Sequence, residues 1–305
     1  MPYNHIALIG LGLISSSIAL ALRKKNKNVI ITGTSRSAET RKKAADLGIC
    51  EVRENSIEAV KDADLIIICV PVGAMASVVQ EFAATLKQGA TVTDVGSVKV
   101  EVIASIAPLL SKEIDFIPGH PLAGTENSGP EAGFASLFEN RWCLLTPSEN
   151  YCSPIAVQRL RLFWEGLGAK VDEMDAEHHD LVLAVTSHVP HLIAYTMVGV
   201  ADDLASITKS EVINYSAAGF RDFTRIAASD PTMWRDVFLN NKEASLEILG
   251  RFTEELTALQ RAIRQGDGDL LFNYFTRTRE VRRKILEAGQ DINEPNFGRG
   301  KSDLN

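Results

Sequence analysis

The first half of the 305-residue chain alternates short apolar, β-branched runs with helical patterns. Five runs have the composition of strands and are bounded by Gly, Pro or Asp: HIALIG, NVIITG, DLIIICV, ATVTDV and IDFIP. Helical patterns such as ISSSIALALRKK and AMASVVQEFAATL lie between them. Strands that alternate with helices predict a parallel, doubly wound sheet. WCLLTP and the region after Gly168 are candidates for outer strands, with a helix near residues 154–167 between them.

The second half of the chain loses the strand signals, and residues 175–290 have helical patterns with breaks near Asp202, Gly219, Pro231 and Gly266. We therefore predict an α/β domain at residues 1–170, an all-helical domain at residues 171–291 and a polar tail at residues 292–305. One apolar stripe recurs every three or four residues and fits either ordinary core or a subunit seam. Its members are Leu246, Leu249, Phe252, Leu256, Leu259 and Ile263.

Composition and charge narrow the class of protein. The chain is 45% apolar and 23% charged, which is typical of a soluble globular protein. Its net charge of -7 argues against a nucleic-acid partner bound through phosphate attraction. The four cysteines have no metal-ligand spacing, and His188 and His191 lack a nearby third ligand, so no metal is predicted.

One apolar segment, residues 181–201, is about long enough to span a membrane. Two histidines, Pro190 and the acidic residues Asp180 and Asp202 argue against insertion. We expect a helix buried in protein and no membrane partner. The N-terminus lacks the pattern of a secretory signal, so a cytoplasmic location is expected.

The sequence ALIGLGLISSSIA leads from the first strand directly into a helix. Gly10 permits a tight turn, and Gly12 lets a pyrophosphate approach the backbone at the helix N-terminus. Ser15 stands where the fingerprint has its third glycine, and its small side chain keeps helix and strand close. The turn predicts a dinucleotide-binding site; the alternative is a tight turn in an empty α/β domain.

The end of the second strand, TGTSRS, favours NADP over NAD. An NAD site usually has an acidic residue here, but no carboxylate occurs before Glu39. Thr34, Ser35 and Arg36 offer hydroxyls and a guanidinium, which suit a 2′-phosphate. The alternative is a solvated arginine at the start of a helix.

Two polar stretches follow strands and carry candidate chemistry. DVGSVK follows the strand ATVT, and GHPLAGTE follows DFIP, so Ser97, His120 and Thr125 are expected at one edge of the sheet. The helical half adds SHVPH and GFRDFTRIAASDPTMW. Each candidate also has a simpler interpretation. A histidine after a glycine in a loop is more often a surface or hydrogen-bonded residue than a catalyst. EHHD at residues 177–180 is a solvated helix start, and Arg225 is a surface ion-pair partner.

Taken together, the motifs GLGLISSS, CVPV, DVGSVK, GHPLAGTE, SHVPH and DFTRIAASDPTMW resemble the prephenate and arogenate dehydrogenase family of tyrosine biosynthesis. The resemblance runs from about residue 5 to residue 290. It implies a Rossmann-type dinucleotide-binding domain followed by an all-helical C-terminal substrate-binding and dimerisation domain, and a homodimer. It also implies oxidative decarboxylation of prephenate, arogenate or both: hydride passes from the hydroxyl-bearing ring carbon to NAD(P), carbon dioxide leaves and the ring becomes aromatic.

The resemblance also assigns roles to residues. By resemblance, His120 hydrogen-bonds the ring hydroxyl of the substrate and acts as the base, and Ser97 orients both groups. A histidine that titrates near pH 6.5 is neutral enough at physiological pH to take a proton. The substrate-binding residues are Thr125, His191, Gly219 and Arg225. The cofactor-binding residues, besides Gly10, Gly12, Thr34, Ser35 and Arg36, are Leu13, Ile14, Val70 and Pro71.

Two other classes remain as alternatives. β-Hydroxyacid dehydrogenases also join a dinucleotide domain to a helical domain, but they use a catalytic lysine that SHVPHLIAYTM lacks. A non-enzymatic NADPH-sensing module would not need Ser97, His120, His191 and Arg225 together. The sequence leaves the choice between prephenate and arogenate open.

Overall fold

Six parallel strands form the main sheet of the computed structural model, which describes residues 2–25, 28–125, 127–204 and 218–287. The strands are β1 (His5–Ile9), β2 (Ile30–Thr34), β3 (Glu51–Val52), β4 (Leu65–Ile68), β5 (Thr91–Asp94) and β6 (Asp115–Phe116). Their order across the sheet is β3-β2-β1-β4-β5-β6. The predicted doubly wound sheet is thus confirmed, and the order reverses between β1 and β4, where such sheets form a ligand crevice.

Helices cover both faces of this sheet. They are α1 (Leu13–Lys25), α2 (Ala38–Asp46), α3 (Ser56–Val60), α4 (Val72–Phe82) and α5 (Val100–Ile106). Alternate residues of β1 belong to two separate apolar clusters, with Ile6 and Leu8 in one and Ala7 and Ile9 in the other. All four residues of β4 are fully buried. Burial on both faces explains why these strands are continuous apolar runs.

A second sheet has three strands: β7 (Gly119–Pro121), β8 (Trp142–Leu145) and β9 (Lys170–Glu173). β8 pairs antiparallel with β7 and parallel with β9, which it reaches through helix α6 (Pro154–Gly166). The predicted outer strands therefore form a sheet of their own. The passage starting at Gly119 was expected to be a loop, and for residues 119–121 that is wrong. Pairing with β8, rather than any apolar alternation in β7, makes these residues a strand.

The rest of the described chain is helical. Its helices are α7 (Ala176–Leu183), α8 (Val189–Asp203), α9 (Ala218–Thr224), α10 (Pro231–Asn240), α11 (Lys242–Gln265) and α12 (Gly268–Glu287). By its contacts the chain divides into two compact units, residues 1–246 and 247–305, so α7 to α10 share a unit with both sheets. The domain boundary near residue 170 stays a prediction, and the tail at 292–305 lies outside the described residues.

A π-helical turn, Ala184–His188, joins α7 to α8. The Val189 amide donates to the Ala184 carbonyl, five residues earlier. Pro190 has no N–H to donate to Thr186, so a regular α-helix could not continue without losing a bond there. Such turns often occur at functional sites.

The continuous helical segment Ala176–Asp203 is, within the described residues, the one helix long and apolar enough to cross a membrane. The sequence predicts it to be buried. In the single chain only 28% of its most apolar window is buried, and Met197, Val198 and Val200 are exposed. Core helices of soluble proteins can be equally long and apolar. The buried part of this helix carries polar residues that are described below.

A buried ion pair connects the two sheets. Lys99 and Asp94 are both fully buried, and the Lys99 ammonium contacts the Asp94 carboxylate at the end of β5. Lys99 Nζ also donates to the Gly119 carbonyl at 2.8 Å, and Asp94 accepts from the Gly119 amide at 3.2 Å. One charge pair thus holds the first residue of β7 against the end of β5.

We predict that Lys99→Met lowers the free energy of unfolding by roughly 3–5 kcal/mol, because it leaves the Asp94 charge buried without its partner. The double variant Lys99→Met/Asp94→Asn should recover part of this loss. The measurement is urea unfolding followed by circular dichroism at fixed protein concentration. Lys112→Met, at an exposed position, is the control. A loss below about 1 kcal/mol would contradict the structural role of the pair.

Candidate active site

His120 lies in the middle of β7 and is 7% exposed. Its Nδ1 is 2.9 Å from Nε2 of His179, and the two rings meet edge to face. The Lys99 bond to Gly119 and the β7–β8 pairing fix the backbone on which His120 stands. The structure therefore gives the predicted base a rigid backbone and a second imidazole as partner.

Asp180 follows His179 on α7 and is 4% exposed. Its carboxylate accepts hydrogen bonds from the Lys99 amide at 2.8 Å and the Val100 amide at 3.0 Å, at the start of α5. It also lies 2.8 Å from His179 Nδ1. The prediction that residues 177–180 form a solvated helix start is therefore wrong for His179 and Asp180. Two polar residues in sequence suggest an exposed position, but these two are buried because they hydrogen-bond to each other and to the start of α5 instead of to water.

Burial lowers the pKa of the three central histidines. The pKa of His120 lies well below its ordinary value of 6.5, mainly through burial and then through the charges of His179, Lys99 and His188. Burial likewise lowers the pKa of His179, against the opposing effect of Asp180, and it lowers the pKa of His188 to about 4. The sequence suggested a base titrating near pH 6.5. The structure instead makes His120 neutral throughout the physiological range, which leaves it able to accept a proton.

A second polar group lies beside the first. Asn241 Nδ2 donates to the Asp180 carbonyl at 2.8 Å and lies 3.0 Å from His188 Nδ1. His188 is fully buried, and its Nε2 has no hydrogen-bond partner within the described ranges. The Ser97 backbone lies near this ring but without hydrogen-bonding geometry to Nε2. Ser97 is thus brought to the histidine cluster, and its own side chain is half-buried.

His191 stacks on Trp234, with ring centroids 3.8 Å apart and an interplanar angle of 27°. Its Nδ1 donates to the Ser187 carbonyl at 2.8 Å, so Nε2 is the nitrogen left for other partners. Burial lowers the pKa of His191, and the charge of nearby Arg225 lowers it further. His191 and Arg225, predicted to act together, are therefore close in space.

The other two predicted substrate residues lie at the surface of the chain. Thr125 is exposed, and its hydroxyl accepts from the Asn127 amide at 3.2 Å. Gly219 lies in α9, and among the described residues a Cβ added there would meet no atom within 4 Å. Packing against these residues therefore does not require glycine at this position.

The predicted cofactor turn has the expected geometry. Gly10 has φ +98°, and an added Cβ would lie 2.7 Å from the Cys69 carbonyl oxygen, so only glycine fits. A Cβ on Gly12 would meet nothing within 4 Å, which leaves the start of α1 open to a ligand. These residues fit a dinucleotide pyrophosphate. Ser15 adds a detail that the sequence did not reveal, since its hydroxyl accepts from the Gly12 amide at 2.8 Å.

The remaining cofactor residues surround this turn. Leu13 and Ile14 open α1, and Val70 and Pro71 connect β4 to α4. Thr34 is buried at the end of β2, Ser35 is half-buried and Arg36 is exposed. A second guanidinium, which the sequence analysis missed, lies behind them. Arg41 donates to the Ser35 carbonyl at 2.7 Å and pairs with Glu54 at 3.0 Å.

Sequence reasoning missed five buried polar residues: Asp94, Lys99, His179, Asp180 and Asn241. A signal was available for two of them, because Asp94 and Lys99 bracket Ser97 in DVGSVK directly after a buried strand. His179 and Asp180 lie in α7, where a polar residue on the inward face looks like one on the solvated face, and Asn241 lies at the junction of α10 and α11.

Comparisons with known proteins agree with this geometry. The sequence model of the prephenate dehydrogenase nucleotide-binding domain matches residues 18–173, and that of the prephenate dehydrogenase dimerization domain matches residues 175–277. A cyclohexadienyl dehydrogenase from Zymomonas mobilis is 41% identical over 291 residues, which are 95% of this chain and 98% of that protein.

Two solved structures are similar along nearly the whole chain. One is prephenate dehydrogenase from A. aeolicus in complex with hydroxyphenyl propionate and NAD+, with a TM-score of 0.84 and 33% identity over 92% of this chain and 98% of that one. The other is arogenate dehydrogenase from Synechocystis, with a TM-score of 0.77 and 28% identity over 92% and 99%. With a nucleotide-binding sheet, a buried histidine cluster and both domain matches, the chain belongs to the prephenate dehydrogenase family.

Proposed function

We propose that this dehydrogenase oxidatively decarboxylates prephenate, arogenate or both, and that it uses NADP in preference to NAD. The observation that carries the proposal is the burial of His120 beside the carboxyl end of β5, and this burial lowers its pKa well below 6.5. The cofactor turn at Gly10 and Gly12 lies at the same edge, after β1. Relatives named for each substrate support the substrate class.

His120 acts as the base in this proposal. The bound nicotinamide supplies the hydride acceptor. His120 accepts the proton of the substrate ring hydroxyl as the hydride leaves the carbon that bears it, which gives a ring ketone. When carbon dioxide leaves, the electrons of the broken C–C bond make the ring aromatic, and the ring oxygen takes the proton back from His120. A neutral imidazole can do this without first losing a proton, which is the state that burial favours. Ser97, beside the histidine cluster, orients the hydroxyl.

Arg225 and His191 bind the substrate. A guanidinium matches a carboxylate with two donors in one plane. His191 is held by Trp234 and Ser187, so it presents Nε2 in a fixed direction. Gly219 and Thr125 complete the pocket at the chain surface.

NADP is favoured by the turn after β2. Arg36 is exposed, and in the part of the chain that the structure describes it forms no ion pair. Arg41, behind the turn, adds positive potential, although Glu54 offsets it. The 2′-phosphate of NADP carries close to two negative charges, and no carboxylate in TGTSRS repels it.

A homodimer covers the exposed apolar surfaces of the helical half. The stripe on α11 is open in the single chain, with Leu256 54% and Ile263 68% exposed. Patches of this kind mark interaction surfaces, and the matching C-terminal model is that of a dimerization domain. The exposed residues of α8 belong to the same proposal. As an enzyme of amino-acid biosynthesis, the protein is expected in the cytoplasm.

For the base, we predict that His120→Asn lowers kcat by about 10²–10⁴ with little change in KM, because asparagine keeps a hydrogen bond but does not accept the proton. Reduced nicotinamide is followed with each substrate. In wild type, kcat should be flat from about pH 7.5 to 6.5 and fall only below, since the pKa of His120 is lowered and the protonated ring cannot act. His178→Asn, on the surface, is the control. Near-normal turnover of His120→Asn would refute the assignment.

For the substrate clamp, we predict that Arg225→Ala raises KM and costs roughly 2–4 kcal/mol in kcat/KM, because a substrate carboxylate loses its paired donors. Cofactor dissociation constants should stay unchanged. Arg221→Ala is the matched control. It removes an exposed guanidinium that lies four residues before Arg225 and 3.6 Å from the Asp222 carboxylate. If Arg225→Ala weakened cofactor binding as much as it lowered kcat/KM, Arg225 would not act through the substrate carboxylate.

For the cofactor, we predict a preference for NADP over NAD of roughly tenfold to a hundredfold, the effect of one charged hydrogen bond of about 1.5–3 kcal/mol. Arg36→Ala should weaken NADP and leave NAD nearly unchanged. Lys42→Ala, which removes an exposed charge from α2, controls for general electrostatics. The comparison is of kcat/KM for both cofactors in each variant. A wild type that prefers NAD would contradict the role of TGTSRS.

A further inference from the structure

Behind His120 lies a chain of hydrogen bonds whose direction the structure determines. Its far end is Asp180, whose two carboxylate oxygens accept from the backbone amides of Lys99 and Val100. Backbone amides can only donate, so both oxygens act as acceptors. The nitrogen of His179 that faces the same carboxylate at 2.8 Å, Nδ1, must therefore carry a proton.

The direction passes through both rings. A neutral His179 with its proton on Nδ1 has a lone pair on Nε2, and that atom lies 2.9 Å from His120 Nδ1. His120 Nδ1 must then donate, and the lone pair of a neutral His120 is on Nε2. The contact with His179 thus determines which nitrogen of His120 can accept a proton, since the hydrogen bond at one ring nitrogen fixes the role of the other.

We infer that His179 and Asp180 are positioning residues that hold His120 in the Nδ1–H tautomer and so present Nε2 to the substrate hydroxyl. The inference rests on the proposed role of His120 as base. It gives a reason for two buried polar residues whose hydrogen bonds connect His120 to the start of α5.

The surroundings of the chain keep it in one arrangement. Asn241 donates to the Asp180 carbonyl and holds α7 from the other side. Lys99, which donates its amide to Asp180, also holds the His120 backbone through Gly119. The groups that face the two rings are Asp180, Lys99, Asp94 and His188. Burial is the largest influence on both His120 and His179, and it lowers the pKa of each ring, which favours the neutral form with one proton per ring.

Two variants of His179 distinguish a role in hydrogen bonding to His120 from a role in packing alone. His179→Phe keeps an aromatic ring but removes the acceptor. His179→Gln offers a carbonyl oxygen that can accept from His120 Nδ1–H. We expect His179→Phe to lower kcat roughly 10–100-fold, part of the 10²–10⁴ that a general base contributes, with KM and the cofactor dissociation constant within about threefold of wild type. His179→Gln should recover at least about tenfold of that loss. His178→Phe, at the exposed neighbouring position, is the control.

A spectroscopic measurement tests the same inference without catalysis. Long-range proton–nitrogen spectra of the full-length, ¹⁵N-histidine-labelled protein identify the tautomer of each ring. In wild type His120 and His179 should both be Nδ1–H, and in His179→Phe the Nδ1–H form of His120 should be lost. A wild-type His120 with its proton on Nε2 overturns the inference, even where His179→Phe fails to fold.

The outcomes distinguish this inference from the proposed function. A wild type that oxidises neither substrate refutes the function, and the spectra still decide the tautomer. An active wild type whose His179→Phe variant keeps its rate and its His120 Nδ1–H signal refutes the inference alone. Equal losses of kcat in His179→Phe and His179→Gln, with an unchanged His120 tautomer, would likewise refute the inference, because His179 would then act only in packing.

Discussion

The carboxylate of Asp180 is the interaction on which the rest of the site depends. It joins the first helix of the helical half to the start of α5, because it accepts both amides at the point where the chain leaves β5. The same carboxylate fixes His179, and His179 fixes His120. One buried group therefore ties the two halves of the active site together and orients the residue proposed to react. Such a group is tolerated in a protein interior only when its acceptors are satisfied, as they are here.

The ion pair of Lys99 and Asp94 is the second support. It aligns the end of β5 with the start of β7, so the cofactor-binding sheet and the strand that bears His120 form one rigid edge. Catalytic groups need placement within a fraction of an ångström, and loops seldom provide it. Here a glycine and a proline flank His120, but paired strands and a buried charge, rather than the flanking residues, give the rigidity.

Much of the fold could be predicted from the sequence, because β1, β2, β4 and β5 are short runs of mostly apolar and β-branched residues, nearly all of them buried. The two-residue strand β3 carries no periodic signal, and β7 forms because β8 is there to pair with it. The same distinction applies to the site. His120, Gly10 and Gly12 stand in unusual local sequences that single them out as candidates, whereas His179 and Asp180 were misassigned because their burial depends on α5, about 80 residues away in the chain. The lowered pKa of His120 was not foreseen for the same reason, since burial is its main cause.

In the proposed reaction one protein-oriented nitrogen, His120 Nε2, meets the ring hydroxyl of the substrate. A crystal structure of the protein with NADP and hydroxyphenyl propionate would show this contact, since that molecule carries the aromatic hydroxyl expected of the product. We expect a ring oxygen at about 2.6–3.2 Å from His120 Nε2, with His120 Nδ1 still bound to His179. A hydroxyl that lies away from His120, or a His120 Nε2 bonded to another protein group, would contradict it.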